Sequence, residues 1–161
     1  MTGLLPAATL HASVGAQSWE EPVDIFGRRF VLLIEGPVPP GRFEIRIWEG
    51  RRGSASGQYL RAPIRGRDVE EARERALEVL HNYVGLDRFR LLVEEVAREV
   101  APGAQVDVAE DARDVVIRLE GRYTLGVPLA VSRDGVLDPE ADQGSVRALV
   151  RAHLKAHVRA R

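Results

Sequence analysis

The chain contains no cysteine, which removes disulfide frameworks, thiolate zinc sites, iron–sulfur clusters and cysteine nucleophiles together. The fold must rest on its apolar core. No stretch approaches the roughly 20 uninterrupted apolar residues that span a bilayer. The beginning, Met1 to Trp19, has no basic segment and interrupts its apolar residues with Pro6, His11, Gly15 and Gln17, so a secretory signal is not expected. These absences predict a cytoplasmic protein without membrane contact and without a cofactor. Charge of one sign is also missing: 23 Lys+Arg stand against 24 Asp+Glu, for a net charge of −1. The whole chain is neither a polycation nor an acidic tail, and any electrostatic function must be local. Lysine occurs once, at Lys155. What is present, 161 residues with 45% hydrophobic and 29% charged, suits one globular domain or two small units around a shared core.

Residues 1–18 show no periodicity and are expected to form a flexible arm, leaving a single α+β domain over 19–161. Phe30 to Ile34 is a continuous apolar run closed by Gly36-Pro37 and Pro39-Pro40-Gly41, the pattern of a buried strand. Phe43, Ile45 and Ile47 alternate with Glu44, Arg46 and Trp48 as a strand with one covered face. The glycine-containing segment 51–57 predicts a hairpin connection to a returning strand, Gln58 to Ile64. Asp68 with Glu71 reads as a capping box opening a helix, whose face is Val69, Ala72, Ala76, Val79, Leu80 and Tyr83. Gly85 is expected to end or kink it. A second helical pattern, Leu86 to Val100, stops at Pro102-Gly103. Strands are then expected at 105–108, 115–120 and 123–131, followed by an acidic loop, 132–144, and a final helix from Ser145 to Arg159.

The segment Glu44-Ile45-Arg46-Ile47-Trp48-Glu49-Gly50-Arg51 has a counterpart in Val115-Val116-Ile117-Arg118-Leu119-Glu120-Gly121-Arg122. Each begins a hairpin whose second strand precedes a helix. This predicts two pseudo-repeated ββα units, about 19–100 and 101–161, merged into one mainly antiparallel sheet packed by helices.

Charge is uneven along the chain. Residues 41–67 carry seven basic and two acidic groups, 143–161 five basic and none acidic, and 68–114 six basic against thirteen acidic. Either the opposed blocks pair with each other, or the basic ones face phosphate or an acidic partner. For nucleic acid the candidates are Arg46, Arg51, Arg52, Tyr59, Arg61, Arg65 and Arg67 in the hairpin, with Trp48 beside them, and Arg147, Arg151 and Lys155 in the terminal helix. Arginine interleaved with aromatics suits stacking on bases and contact with phosphates. The loop 50–57 lacks the Gly-Lys-Ser/Thr ending of a phosphate-binding P-loop.

His153 and His157, four apart on one helix face, are the candidate metal ligands, without the intervening glutamate of an H-E-x-x-H site and without a third ligand at recognisable spacing. Asp134, Asp138, Glu140 and Asp142 do not follow a calcium-loop series, and Asp138-Pro139 with Asp142 and Ser145 reads as a turn into a helix cap. Ser54, Ser56 and Ser132 lack a nucleophile elbow. No catalytic constellation emerges.

Residues 43–84, through the strand Phe43 to Glu49, the returning strand Gln58-Tyr59-Leu60-Arg61-Ala62-Pro63-Ile64 and the helix start Asp68-Val69-Glu70-Glu71-Ala72, resemble the HicB-type antitoxin domain, a partial RNase-H-like module. The Leu-Pro-Gly-Cys segment usual in that family and its DNA-binding tail are absent here. The resemblance implies a noncatalytic sheet that binds a protein partner. The leading expectation is a binding or regulatory module acting through protein contact, with itself or another chain. The alternatives are a nucleic-acid-binding protein and a small metal-assisted enzyme using His153 and His157.

Overall fold

The computed structural model describes residues 17–38, 41–50, 58–60 and 63–161, with Gln58 and Tyr59 described by their backbone alone. The chain is a mixed fold of antiparallel sheets and helices. It divides into two compact units, Met1–His81 and Asn82–Arg161.

In the first unit, strands β1 (Gln17–Ile25), β2 (Arg28–Val38), β3 (Arg42–Glu49), β4 (Gln58–Tyr59) and β5 (Ile64–Gly66) form one antiparallel sheet, in the order β1-β2-β3-β4 with β5 also on β3. Sixteen residues of the expected arm, 1–16, lie outside the described residues, and Gln17 and Ser18 already belong to β1. The β1–β2 connection is the pair Phe26 and Gly27, both left-handed with φ of 50° and 79°. Two such residues form a turn whose twist matches that of the flanking strands. The run at 30–34 is a strand, but only one of its faces is covered: Phe30, Leu32 and Ile34 are buried, whereas Val31 and Leu33 are half-exposed. The inner face also carries Ile25, Ile45 and Ile47, and the opening turns of the following helix bury Ala72, Ala76 and Leu80.

That helix, α1 (Val69–Val100), starts where the capping pattern places it. The Glu71 amide donates to Asp68 Oδ1 at 2.8 Å, and the Arg67 amide donates to Glu71 Oε2 at 2.7 Å. Gly85 does not end it; α1 is one helix of 32 residues. A Cβ at Gly85 would lie 2.9 Å from Leu137 Cδ2, so this glycine serves a close approach between α1 and a later segment. The residues of α1 through His81 belong to the first unit and the rest to the second.

Arg73 on α1 forks onto Glu21 of β1, with Nε donating to Oε2 at 3.0 Å and Nη2 to Oε1 at 2.6 Å. These bonds from Arg73, aided by the Trp19 indole N–H, hold the Glu21 carboxyl below its ordinary range. A depressed carboxylate stabilises the fold above its unfolded pKa, and that contribution is lost as pH falls through the folded value. Glu21→Gln is therefore expected to cost about 1 kcal/mol near neutral pH and to flatten the fall in stability below about pH 4, which urea unfolding at several pH values measures.

In the second unit, β6 (Gln105–Glu110), β7 (Asp114–Glu120) and β9 (Leu129–Ser132) form a three-stranded sheet with β7 central, while β8 (Tyr123–Leu125) pairs with β10 (Val158–Ala160). The expected single strand at 123–131 is thus two strands in different sheets. They are separated by Gly126-Val127-Pro128, where proline has no N–H for a ladder. The acidic loop contains a short helix, α2 (Arg133–Leu137). The final helix, α3 (Gln143–His157), is capped by Asp142, which accepts from the Gly144 amide at 3.1 Å and from Ser145 Oγ at 2.6 Å. It ends at His157 and not at Arg159, because Val158 onward pairs with β8, Val158 opposite Leu125. Phe89, Val93 and Val96 of α1, Val115, Ile117 and Leu119 of β7, and Val150 and Leu154 of α3 make one buried core.

The two hairpins do not merge into one sheet: β3 lies in the five-stranded sheet and β7 in the three-stranded one. Their letter-by-letter match is also one residue out of phase. Ile45 and Ile47 are buried, yet their counterparts Val116 and Arg118 are not, the covered residues of β7 being Val115, Ile117 and Leu119. With side chains alternating every residue, that slip sets opposite faces against each other.

Candidate functional site

The outer face of the first sheet carries the hairpin candidates. Arg46 is exposed on β3 opposite Leu33, and Trp48 stands opposite Val31 on one side and Tyr59 on the other. Arg51, Arg52 and Arg61 lie outside the described residues, as does the Tyr59 side chain. Arg65 on β5 donates to Glu44 across the β3–β5 pair at 2.8 Å. Arg67 donates to Glu71 at 3.0 Å, and Arg75 joins the same carboxylate at 2.8 Å. The bonds from the Arg67 amide and guanidinium keep Glu71 ionised, its pKa below the ordinary range. Arg65, Arg67, Glu71 and Arg75, with Arg42 and Gly66, line a depression of about 340 Å³. Sequence reading singled out Arg65 and Arg67 and missed Arg42 and Arg75, whose convergence depends on β3 pairing with β5 directly before the helix.

In the second unit, the basic residues of α3 follow the other course the charge blocks allowed. Arg147 binds Glu95, and Arg151 binds Glu99 at 2.9 Å. The two pairs advance together by one turn on each helix, so within this unit α3 runs parallel to the end of α1. The Arg147 bond depresses the Glu95 pKa. Lys155 is exposed. His153 Nε2 donates to the Val127 carbonyl at 2.8 Å, which leaves only Nδ1 of that ring with a lone pair. The rings of His153 and His157 are 4.4 Å apart, and among the described residues no three His, Asp or Glu side chains gather as metal ligands.

What α3 turns outward is apolar. Leu149 and Val127 are each 50% exposed, and Val127 is tied to the helix through His153, one turn from Leu149. Ala148, Ala152 and Ala156 are exposed on the same face. The face is bounded in sequence by acids at one end, Asp138, Glu140 and Asp142, and by bases at the other, Lys155, Arg159 and Arg161, all exposed. Among the described residues no helix is long and apolar enough to cross a membrane. Comparison with protein-family models, characterised proteins and solved structures finds no significant match.

Proposed function

We propose that this chain is a non-catalytic, cytoplasmic binding module that works through protein contact, and that a second copy of itself docks along α3. The observation carrying this reading is the exposed apolar face of α3 with opposite charges at its two ends. Leu149 and Val127, joined by exposed alanines into one patch, support a contact surface, and the alanines let a second helix backbone approach closely. A parallel pair would set like charges together at both ends. An antiparallel pair with its two-fold axis between Leu149 and Ala152 sets Glu140 and Asp142 of one copy against Arg161 and Arg159 of the other. That is an isologous, closed arrangement. Its helix is roughly 22 Å long at 1.5 Å per residue, so the interface is at the small end and the dimer reversible.

Two further features fit the same reading. We read β3 with β4 and β5 before α1, and β7 with β8 and β9 before α2 and α3, as a shared order of strands leading into helix. Each leading strand ends in Glu-Gly with a left-handed glycine, φ 87° at Gly50 and 88° at Gly121. In the HicB-like segment 43–84, the sheet then binds and does not cleave.

Sedimentation equilibrium tests the proposal. The expected species is near twice 17.8 kDa at micromolar concentration, with Ala152→Glu monomeric and unchanged in helical content, since glutamate is a good helix former. Glu140→Arg is expected to weaken the dimer, and adding Arg161→Glu to restore it. A monomeric wild-type chain, or a dimer indifferent to Ala152→Glu, overturns the reading.

The pairing within the second unit separates this from nucleic-acid binding by the terminal helix. Arg147→Glu with Arg151→Glu is expected to lower the thermal midpoint, because each new carboxylate faces Glu95 or Glu99, and added salt is expected to reduce the loss. Unchanged stability with loss of a steeply salt-dependent RNA affinity would favour the nucleic-acid reading.

A further inference from the structure

We propose that the depression lined by Arg42, Arg65, Arg67 and Arg75 binds a phosphoryl oxyanion. The charges around it do not balance: four guanidinium groups meet three carboxylates, Glu71 in the lining, Glu44 bonded to Arg65, and Asp68 near Arg67. Glu44 and Glu71 act as struts. Arg65 gives Nε to Glu44, Arg67 gives Nε to Glu71, and Arg75 gives Nη2 to Glu71 and Nη1 to the Arg65 carbonyl at 2.8 Å. The terminal nitrogens of Arg65 and Arg67 remain available, and Arg42 makes no ion pair among the described residues. Gly66, at the floor, adds no side chain.

Guanidinium forks held in place by neighbouring carboxylates match the geometry of a phosphate, whose oxygens accept two donors at a time. The Glu71 amide is taken by Asp68 Oδ1 and the Ala72 amide by the Asp68 carbonyl. The side chains are exposed, Arg65 at 61% and Arg67 at 85%, so the site meets its ligand at the surface, and affinity for a single phosphate is expected in the millimolar range.

The test is amide chemical-shift titration of the full chain with inorganic phosphate at low ionic strength. Saturable shifts at positions 42, 65–67, 71 and 75 are expected. Arg42→Glu, which breaks no internal bond, is expected to weaken binding at least tenfold, and Arg46→Glu, on the same face of β3 but not among the residues lining the depression, to weaken it no more than threefold. Two sources share this chemistry, a free phosphate monoester and the phosphodiester of a nucleic-acid backbone. A short single-stranded RNA that competes with phosphate, with an affinity falling steeply in salt, identifies the second, and failure to compete identifies the first. Absence of saturable shifts, or equal effects of Arg42→Glu and Arg46→Glu, overturns the site. Neither result bears on pairing through α3, which uses residues of the other unit.

Discussion

Phe30→Ala is expected to destabilise the protein by about 4 kcal/mol, the loss usual for truncating a fully buried phenylalanine. Phe30 has no exposed surface and sits on β2 between Val23 of β1 and Glu49 of β3. Its neighbours along the covered face, Ile25, Leu32 and Ile34, are equally enclosed. A ring removed there leaves a void lined by strands on both sides, which cannot collapse without breaking the ladder. Phe26 is the control. It is 46% exposed at the hairpin turn, and Phe26→Ala is expected to cost less than about 1 kcal/mol. Denaturant unfolding of the two variants measures the difference, and equal losses would mean that the covered face has been misassigned.

The second large effect concerns two glycines, Gly66 before α1 and Gly85 within it. A Cβ on Gly66 would lie 2.4 Å from the Ala72 amide nitrogen and 2.7 Å from its Cα. These are backbone atoms in the first turn of α1, so either β5 or the helix must move. Gly66→Ala is expected to cost roughly 3 kcal/mol, at the upper end for overpacking. Gly85→Ala meets first the tip of the Leu137 side chain at 2.9 Å, which can rotate. It also gains up to about 1 kcal/mol of helix propensity. Its net effect is expected to be within about 1 kcal/mol of zero. Thermal unfolding of both alanine variants decides the matter, and a larger loss at Gly85 than at Gly66 would contradict it.

The same pair shows where sequence reading works and where it stops. Asp68 with Glu71, and Asp142 with Ser145, are local signals, and both helix starts follow them. Gly85 carries a local signal for a helix end that a tertiary contact overrides, because nothing near it in sequence reveals Leu137. Strand β1 was not anticipated, since its exposed and half-exposed residues dilute the alternation until Ile25. The apparent repeat failed in phase because a shared Glu-Gly ending aligned letters while the buried faces of β3 and β7 stood one residue apart. Charge blocks leave two courses open, pairing with each other or facing a partner, and Arg147 with Glu95 and Arg151 with Glu99 take the first. The arginine-lined depression was half legible. Arg65 and Arg67 stood out by density, whereas Arg42 and Arg75 join them only through strand pairing and one helical turn.

Spin labels placed singly on Gln143→Cys and Lys155→Cys, outside the alanine face in a chain with no other thiol, test directly whether two copies meet antiparallel along α3. With the two-fold axis between Leu149 and Ala152, the distance between labels at position 143 is expected to exceed that at 155 by roughly 9 Å, from 1.5 Å of rise per residue on each helix. Equal distances at the two positions, or no dipolar coupling at either, would contradict the account.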